Sequence, residues 1–358
     1  MADFKEQINT KTVRKIAQVL VGAERAHFIK KESKLNTLEL KERARYLAEV
    51  LFKAHQSDFK KLKPVLKNLL INKELEQFEW LVISECLSLY GTDFYKESFP
   101  LLLLLTENFT AEFAIRNFLE KDFSKAMLDL EKLIKSTNVH HRRLVSEGTR
   151  PFLPWGQQVS HIKKNPLATL PMLLKLKNDP ELYVRKSVAN HLNDLSKTHP
   201  KEVIQFLKNN RQESDDWLIH HALRTLIKKG DPAALKMIGI ELKPQFQLTH
   251  FALTKKTFST NESLEFSVEI RSTAKKAQSC LLDYTIFWLK KNGELSPKVY
   301  KGRRFTLEAG ETKKINKKHS LKPITTMVHY PGVQELQIQL NGVTFQRIPW
   351  KLNKTTSL

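Results

Sequence analysis

The chain has 358 residues, of which 41% are hydrophobic and 27% charged, an ordinary composition for a folded protein of two domains. Its formal net charge of +22 is not ordinary and indicates a polyanionic partner, with nucleic acid ahead of anionic lipid or an acidic protein. Cys86 and Cys280 are the only cysteines, which excludes a disulfide framework and a zinc site built from four cysteines.

A membrane protein is not expected. The chain starts without a long apolar run, and its strongest apolar segment, 101–105, is far too short to cross a bilayer. Two thiols far apart in sequence fit a reducing compartment, so we expect a soluble cytoplasmic protein with no membrane partner. The helical pattern leaves no long apolar seam exposed, which predicts a monomer.

The first two thirds of the chain have the apolar spacing of helices. An apolar helix face is predicted over 62–70, and a further helix over 74–90 with Gly91 as its C-cap. Glycine is scarce in this part of the chain, which is typical of a long helical array without a sheet.

Segments between 111 and 226 resemble one another and predict a helical repeat. Aligning them makes four positions equivalent: Glu112, Glu147, Asn190 and Thr225. Their residue numbers differ by 35, 43 and 35, which is the period of a HEAT-like helix pair with an insertion around 154–164. Since equivalent positions line up along one surface of a solenoid, Glu112, Glu147 and Asn190 are predicted to be neighbours.

Basic residues flank these equivalent positions and predict a track for the backbone of duplex DNA. The track comprises Arg116, Arg142, Arg143, Arg150, Arg185, Lys186 and Arg224. Phosphate contacts of this kind position a protein without reading sequence. The alternative for any single arginine is a solvated helix face. Asn190 either bonds a phosphate or orients Glu147, and its alternative is a helix-facing amide.

The stretch 140–155 concentrates the chemistry. A helix here places Arg143, Glu147 and Arg150 on neighbouring turns of one face, and the prolines that follow end the helix before Trp155. A carboxylate among arginines beside an aromatic ring suits a site that meets a polyanion and positive charge together. Two alternatives stay open: Glu112 as a surface i,i+4 pair with a neighbouring arginine, and Trp155 as a core residue.

No metal or cofactor is predicted. Adjacent histidines such as His140 and His141 point apart on a helix, and no cysteine or aspartate cluster joins them. The sequence also has no glycine-rich phosphate loop, so no nucleotide cofactor is implied.

From residue 244 the pattern changes to that of strands. Apolar and polar residues alternate over 264–270, and similar segments occur at 284–289, 303–307, 336–340 and 343–348. The pairs Asn292–Gly293 and Asn341–Gly342 are typical of hairpin turns. The predicted architecture is therefore an α-helical HEAT-like repeat solenoid over 1–243, followed by an immunoglobulin-like β-sandwich over 244–358 that contacts DNA.

These segments resemble the AlkC family of alkylbase DNA glycosylases, in the HEAT-like repeat superfamily that includes AlkD. The resemblance is carried by 111–116 (AEFAIR), 142–151 (RRLVSEGTRP), 153–155 (LPW), 183–194 (YVRKSVANHLND) and 221–230 (HALRTLIKKG). The β-rich tail is similar to the immunoglobulin-like domain of many family members. Phe152 departs from the pattern, since an arginine that contacts the DNA backbone is expected there.

The resemblance implies excision of 3-methyladenine, with 3-methylcytosine as a second candidate, from duplex DNA without base flipping. It implies that Glu112, Glu147 and Trp155 are the active-site residues. The chemistry of these residues agrees, because an N3-alkylated base is a cationic leaving group and negative charge stabilises an oxocarbenium-like sugar. No lysine is distinguishable as a lyase nucleophile, so a monofunctional hydrolase is predicted.

Two alternatives from other functional classes are weighed against this enzyme. One is a non-catalytic HEAT-repeat binder of DNA structure, and the other is an interaction scaffold for an acidic protein partner. The occurrence of both carboxylates in register with the basic track favours the enzyme over either.

Overall fold

The structure, a computed structural model, describes residues 4–213, 215–242, 244–324 and 327–353. Helices fill the first part of these ranges and strands the last part, which confirms the predicted order of a helical part followed by an immunoglobulin-like β part. Backbone contacts divide the chain into two compact units, one ending at Leu195 and the other starting at Ser196. No helix in the described ranges is both long and apolar enough to span a bilayer.

The first unit is helical. Its helices are α1 Thr10–Gln18, α2 Gly22–Ile29, α3 Leu40–Ala54, α4 Phe59–Asn72, α5 Leu81–Tyr90, α6 Tyr95–Asn108, α7 Ile115–Lys121, α8 Phe123–Leu133, α9 Val139–Gly148, α10 Ser160–Lys164, α11 Leu170–Leu176 and α12 Leu182–Ser196. The predicted apolar face over 62–70 is buried in α4, through Leu62, Leu66, Leu69 and Leu70. The helix predicted over 74–90 begins later, at Leu81, because the preceding segment Gln77–Trp80 forms a 3-10 turn with its own capping box.

Helix α9 carries the central stretch of the sequence. Asn138 caps its first turn, since the side-chain oxygen accepts a hydrogen bond of 2.9 Å from the His140 N–H. The helix packs against α6, α8 and α11. Its last residue, Gly148, lies so close to α7 that an added Cβ would be 2.7 Å from the Ile115 side chain. The end of α9 therefore depends on glycine for its position in the core.

The second unit combines helices with two β-sheets. Its helices are α13 Pro200–Asn209, α14 Asp216–Ala222, α15 Arg224–Lys228 and α16 Pro232–Met237. Its strands are β1 Phe246–Leu253, β2 Thr257–Ser259, β3 Ser263–Ser272, β4 Gln278–Leu289, β5 Leu295–Leu307, β6 Thr312–Ser320, β7 Gly332–Leu340, β8 Val343–Thr344 and β9 Ile348–Asn353. One sheet has the order β1-β3-β6, and the other has the order β2-β9-β7-β4-β5 with β8 paired to β7.

The alternation predicted over 264–270 is that of β3, whose residues Leu264, Phe266, Val268 and Ile270 are all buried in the core of the β part. The strand predicted over 343–348 is instead split between β8 and β9. Between these two strands, the side-chain amide of Gln337 donates to the backbone carbonyl of Phe345 at 2.7 Å. Both predicted hairpin turns, at Asn292–Gly293 and Asn341–Gly342, connect neighbouring strands.

Helices α13–α16 fall in the same compact unit as the strands. Helix α15 packs on β5, and the Arg304 guanidinium donates to the Ile238 carbonyl at 2.9 Å. The Asn341 amide donates to the Glu241 carbonyl at 3.2 Å. The last helix ends at Met237 and the first strand begins at Phe246, whereas the compact units divide at 195/196, so the domain boundary at 243/244 stays a prediction. Residue 243 itself lies outside the described residues.

Candidate functional site

Glu147 is the centre of a buried group of charges in the first unit. It lies in the last turn of α9 and is only 5% exposed. Its Oε1 accepts from Arg150 at 2.6 Å and lies 3.7 Å from Arg143. Its Oε2 accepts a hydrogen bond of 2.6 Å from the Ser187 hydroxyl on α12. The contacts that helical spacing predicts for Glu147 with Arg143 and Arg150 are therefore present.

Glu112 lies close to the same group, although it precedes α7 and is not on a helix. Its Oε2 lies 2.6 Å from the Arg143 guanidinium and accepts 2.9 Å from the Thr110 hydroxyl. Arg143 therefore bridges the two carboxylates predicted to be catalytic. The surface pair of Glu112 with Arg116 is not formed, because the carboxylate is turned to Arg143 instead.

The charges continue through Arg150 to a third carboxylate. The Nε of Arg150 donates to Asp194 Oδ2 at 2.8 Å, while its Nη1 donates to Glu147. Carboxylate and guanidinium groups thus alternate along one chain of contacts, which we call the charge chain: Glu112, Arg143, Glu147, Arg150 and Asp194. Each member is held by at least one charged hydrogen bond or ion pair, so the chain is a fixed arrangement of charge.

The arginines of the charge chain stay cationic despite their burial. Burial favours the neutral form of Arg143, but Glu112 and Glu147 outweigh it and raise the pKa of this guanidinium above its ordinary value. Burial opposes the charge of Arg150 in the same way, and Asp194 and Glu147 again raise its pKa. The two guanidinia therefore place lasting positive charge between the carboxylates of the charge chain.

Arg116 is a correction to the predicted DNA track. Its side chain is 1% exposed, and its guanidinium donates to the backbone carbonyls of Gly148, Arg150 and Gln157. Burial first, and the charge of Arg150 second, lower the pKa of this guanidinium to about 10. Arg116 therefore holds the segment that follows α9 from inside the protein and is not available to a DNA phosphate.

Arg142 is bonded within the protein, and its contact with DNA stays a prediction. Its guanidinium forms a bidentate pair with the Asp179 carboxylate, at 2.6 and 3.0 Å, and also donates to the carbonyls of Ser136 and Thr137. The side chain retains only 12% exposure, so this arginine is engaged by the protein. Arg143 and Arg150 are likewise committed to the charge chain.

The other predicted DNA-binding residues have varied positions. Arg185 is partly buried and donates to the carbonyls of Asp179 and Pro180, whereas Lys186 is exposed and Asn190 is partly buried. Arg224 belongs to the second unit, where it donates to the His221 carbonyl at 2.8 Å. Among the arginines and lysines of the predicted track, the side chain of Lys186 is thus the most accessible in the first unit.

Trp155 is an exposed aromatic residue, not a core residue. Its side chain is 54% exposed and its φ of 64° is left-handed, a backbone conformation that few bulky residues adopt. The ring contacts Phe4 and Phe78 at centroid distances of 5.6 and 6.2 Å, and Lys41 donates to its carbonyl. Trp155 lines a cleft of about 420 Å³ beside Phe113, the residue that follows Glu112. It is outside the charge chain.

Sequence reasoning missed several residues that hold the site. Ser187 and Asp194 anchor the two ends of the Glu147–Arg150 pair, and the ring of Tyr183 lies under Arg143 at 5.2 Å. All three lie on α12. Positions 187, 190 and 194 have the spacing of one helix face. The sequence therefore contained a pattern that could have identified Ser187 and Asp194, but a role was predicted for Asn190 alone.

His191 predicts a pH dependence of stability. The ring is fully buried, and burial lowers its pKa to about 4, below the value near 6.5 of an unfolded chain. The unfolded state therefore binds the proton first, so stability is complete above about pH 6.5 and is lost as the pH falls toward 4, by roughly 3 kcal/mol. Urea unfolding at pH 7 and pH 4.5 measures this loss.

The control for this prediction is His191→Gln, because His319 in the second unit also has a pKa lowered to about 4 by burial. The variant should lose much less stability between the two pH values than the wild type does. An identical pH dependence in the two proteins would assign the effect to other groups.

No metal centre is formed by the described residues, since no three His, Cys, Asp or Glu side chains there are grouped to hold an ion. Both cysteines are buried as free thiols, and burial raises the pKa of each above its ordinary value.

Comparison with known proteins adds to this geometry. The sequence matches the family described as DNA alkylation repair enzyme over residues 106–226, and the family described as uncharacterised protein YhaZ, C-terminal Ig-like domain, over residues 247–354. It is 36% identical over 307 residues to the uncharacterized protein YhaZ of Bacillus subtilis (strain 168), covering 85% of each chain.

The structure is also similar to a solved one over nearly its whole length. It matches the Pseudomonas fluorescens alkylpurine DNA glycosylase AlkC, bound to DNA containing an abasic site analog, with a TM-score of 0.90 and 32% identity. The match covers 98% of this chain and 99% of that chain. Shared fold, shared domain order and identity over both parts show that the chain belongs to the AlkC family of alkylbase DNA glycosylases that carry a C-terminal immunoglobulin-like domain.

Proposed function

We propose that the chain is a monofunctional alkylpurine DNA glycosylase that hydrolyses the N-glycosidic bond of 3-methyladenine in duplex DNA. The observation that carries the proposal is the charge chain, which fixes Glu112 and Glu147 on either side of Arg143. The relative with a solved structure is an alkylpurine DNA glycosylase that was bound to DNA with an abasic site analog. The formal charge of +22 suits the same polyanionic partner.

The reaction needs little catalytic assistance from the protein at the leaving base. An N3-alkylated base is already cationic, so it departs without a general acid. The barrier lies in the positive charge that develops on the sugar, and pre-placed negative charge lowers it. Glu147 supplies that charge, because Ser187, Arg143 and Arg150 hold its carboxylate in one orientation.

Glu112 is the group that guides water. Its Oε2 is occupied by Arg143 and Thr110, but its Oε1 accepts no hydrogen bond from the described residues. This second oxygen, at the edge of the charge chain, orients a water molecule toward C1′ of the sugar. Arg143 places a guanidinium between the two carboxylates.

Aromatic side chains complete the site. Trp155 presents an exposed ring to the cleft beside Phe113, and stacking on a cationic nucleotide contributes about 0.5–2 kcal/mol. Lys186 and Asn190, on the same helix as Ser187, supply phosphate contacts.

Hydrolysis without base flipping follows if the carboxylates approach the sugar from the groove. The β part, residues 244–358, then contacts the duplex in the minor groove.

The test is base release from methylated duplex DNA, analysed by chromatography. Release of 3-methyladenine by the wild-type chain, with intact strands containing abasic sites as the other product, is the expected result. Untreated duplex DNA is the control and should release nothing. Lesion range is read from the same chromatogram through 3-methylcytosine.

Two outcomes would contradict the proposal. Absence of any released base, combined with tight duplex binding, would favour a non-catalytic binder of DNA structure. Strand cleavage with a borohydride-trapped protein–DNA adduct would show a lysine nucleophile and remove the monofunctional assignment.

A further inference from the structure

A charged pocket, separate from the charge chain, lies in the second unit between α14–α15 and the β4–β5 hairpin. Its volume is about 180 Å³. The charged residues that line it are Arg224, Lys228, Asp283, Lys301, Arg303 and Arg304. Five cations and one carboxylate thus surround a space large enough for a single small anionic group. We call it the α15–β5 pocket.

A β-bulge gathers these cations. In the β4–β5 ladder Leu282 pairs with Arg303 but Asp283 pairs with Lys301, so Gly302 is an extra residue. In a regular strand successive side chains point to opposite faces, whereas a bulge re-aims them. Residues 301–304 consequently all line the same pocket.

The bulge depends on the absence of a side chain at Gly302. A Cβ added there would lie 2.0 Å from the Leu282 carbonyl oxygen, a distance that no side chain can accept. The Gly302 N–H donates to the Asp283 carboxylate at 2.9 Å, which holds the bulge closed. The arrangement of cations is therefore built into the backbone and is not a chance meeting of surface side chains.

Cations outnumber carboxylates in the lining of the pocket. Asp283 is 3% exposed, and burial raises the pKa of its carboxyl despite the neighbouring lysines. Burial first, then Lys301 and Arg304, lower the pKa of His220 at the same pocket. Lys228, Lys301 and Arg303 form no ion pair within the described part of the chain. A bound anion would relieve the repulsion among these cations.

We propose that the α15–β5 pocket binds one phosphodiester group of a DNA backbone. Guanidinium groups match the oxygens of a phosphate in a fork geometry, and ammonium groups add point charge. Arg304 is fixed by its bond to the Ile238 carbonyl, so part of the pocket is already ordered before the anion arrives. The choice of DNA over another phosphate rests on the proposed function, and the site lies outside the charge chain.

The first test is the salt dependence of binding to undamaged duplex DNA. The double variant Lys301→Gln/Arg303→Gln should bind more weakly, and the slope of log affinity against log salt should fall by about 1, as expected for one lost phosphate contact. The matched control is Lys275→Gln/Lys276→Gln, which removes the same charge from exposed positions of the same unit. Equal slopes for the two double variants would overturn the proposal. Thermal unfolding verifies that both variants are folded.

The second test uses the unaltered protein and therefore does not depend on the folding of a variant. Lysine acetylation, quantified by mass spectrometry, should be slowed at Lys228 and Lys301 by undamaged duplex DNA, relative to Lys275 and Lys276. Equal protection of all four lysines would overturn the proposal, as would protection by inorganic phosphate at a matched phosphate concentration. The probe here is undamaged duplex DNA, so this test does not depend on base release. Absence of base release from methylated DNA would contradict the proposed glycosylase activity but would not change the protection measured at Lys228 and Lys301.

Discussion

Replacement of Glu147 by glutamine is expected to reduce release of 3-methyladenine at least about a hundredfold while duplex binding is retained. Glutamine keeps the size of the side chain, its oxygen can accept from Arg150, and its NH2 group can donate to the Ser187 hydroxyl; these two partners contact the carboxylate at 2.6 Å each. What it removes is the negative charge that the proposed mechanism places beside the sugar. Single-turnover base release at saturating enzyme measures this loss separately from affinity.

The control for this experiment is Glu131→Gln, which removes an exposed carboxylate paired with Lys175. It should retain wild-type release. Normal release by Glu147→Gln would move the stabilising charge to Glu112. The companion variant Glu112→Gln then decides between the two, because it leaves Glu147 and its partners intact.

Replacement of Arg116 by methionine is expected to destabilise the first unit by about 3 kcal/mol, and to leave the DNA affinity of the folded protein unchanged. The guanidinium is buried and bonded to the backbone carbonyls of Gly148, Arg150 and Gln157. Methionine fills similar space but leaves those carbonyls without a donor. Urea unfolding followed by far-ultraviolet circular dichroism gives the change in stability.

Arg25→Met is the matched control, because Arg25 is exposed on α2 and the change in charge is the same. It should alter stability by less than about 0.5 kcal/mol. Wild-type stability of Arg116→Met together with weakened DNA binding would restore the phosphate contact that the sequence predicted.

The fold was predictable where the local pattern and the tertiary structure agree. Residues 264–270 alternate because β3 has one buried face, and Asn292–Gly293 supplies the backbone that a tight hairpin needs. The grouping of α13–α16 with the strands was not predictable, since it depends on contacts such as that of Arg304 with the Ile238 carbonyl. Such contacts have no local signature.

The site was predictable in its centre and not around it. Helical spacing brings Arg143 and Arg150 to Glu147, so residue numbers alone were enough. Ser187 and Asp194 reach the same group from 40 and 44 residues away; helical spacing places them on one face with Asn190 but does not identify Glu147 and Arg150 as their partners.

Arg116 shows a second limit of the sequence. The sequence shows only an arginine and does not distinguish a buried side chain that donates to carbonyls from a surface side chain that binds phosphate. Only its burial and its partners distinguish the two roles.

One helix sets the scale of the charge chain. Ser187 and Asp194 are seven residues apart on α12, which is about 10 Å of helix axis, and they hold Glu147 and Arg150 respectively. Helix α12 therefore fixes the distance between the side chains that contact Glu147 and Arg150. Because both residues lie on α12, the loops between α9 and α12 are able to change in length during evolution without altering the distance between Ser187 and Asp194.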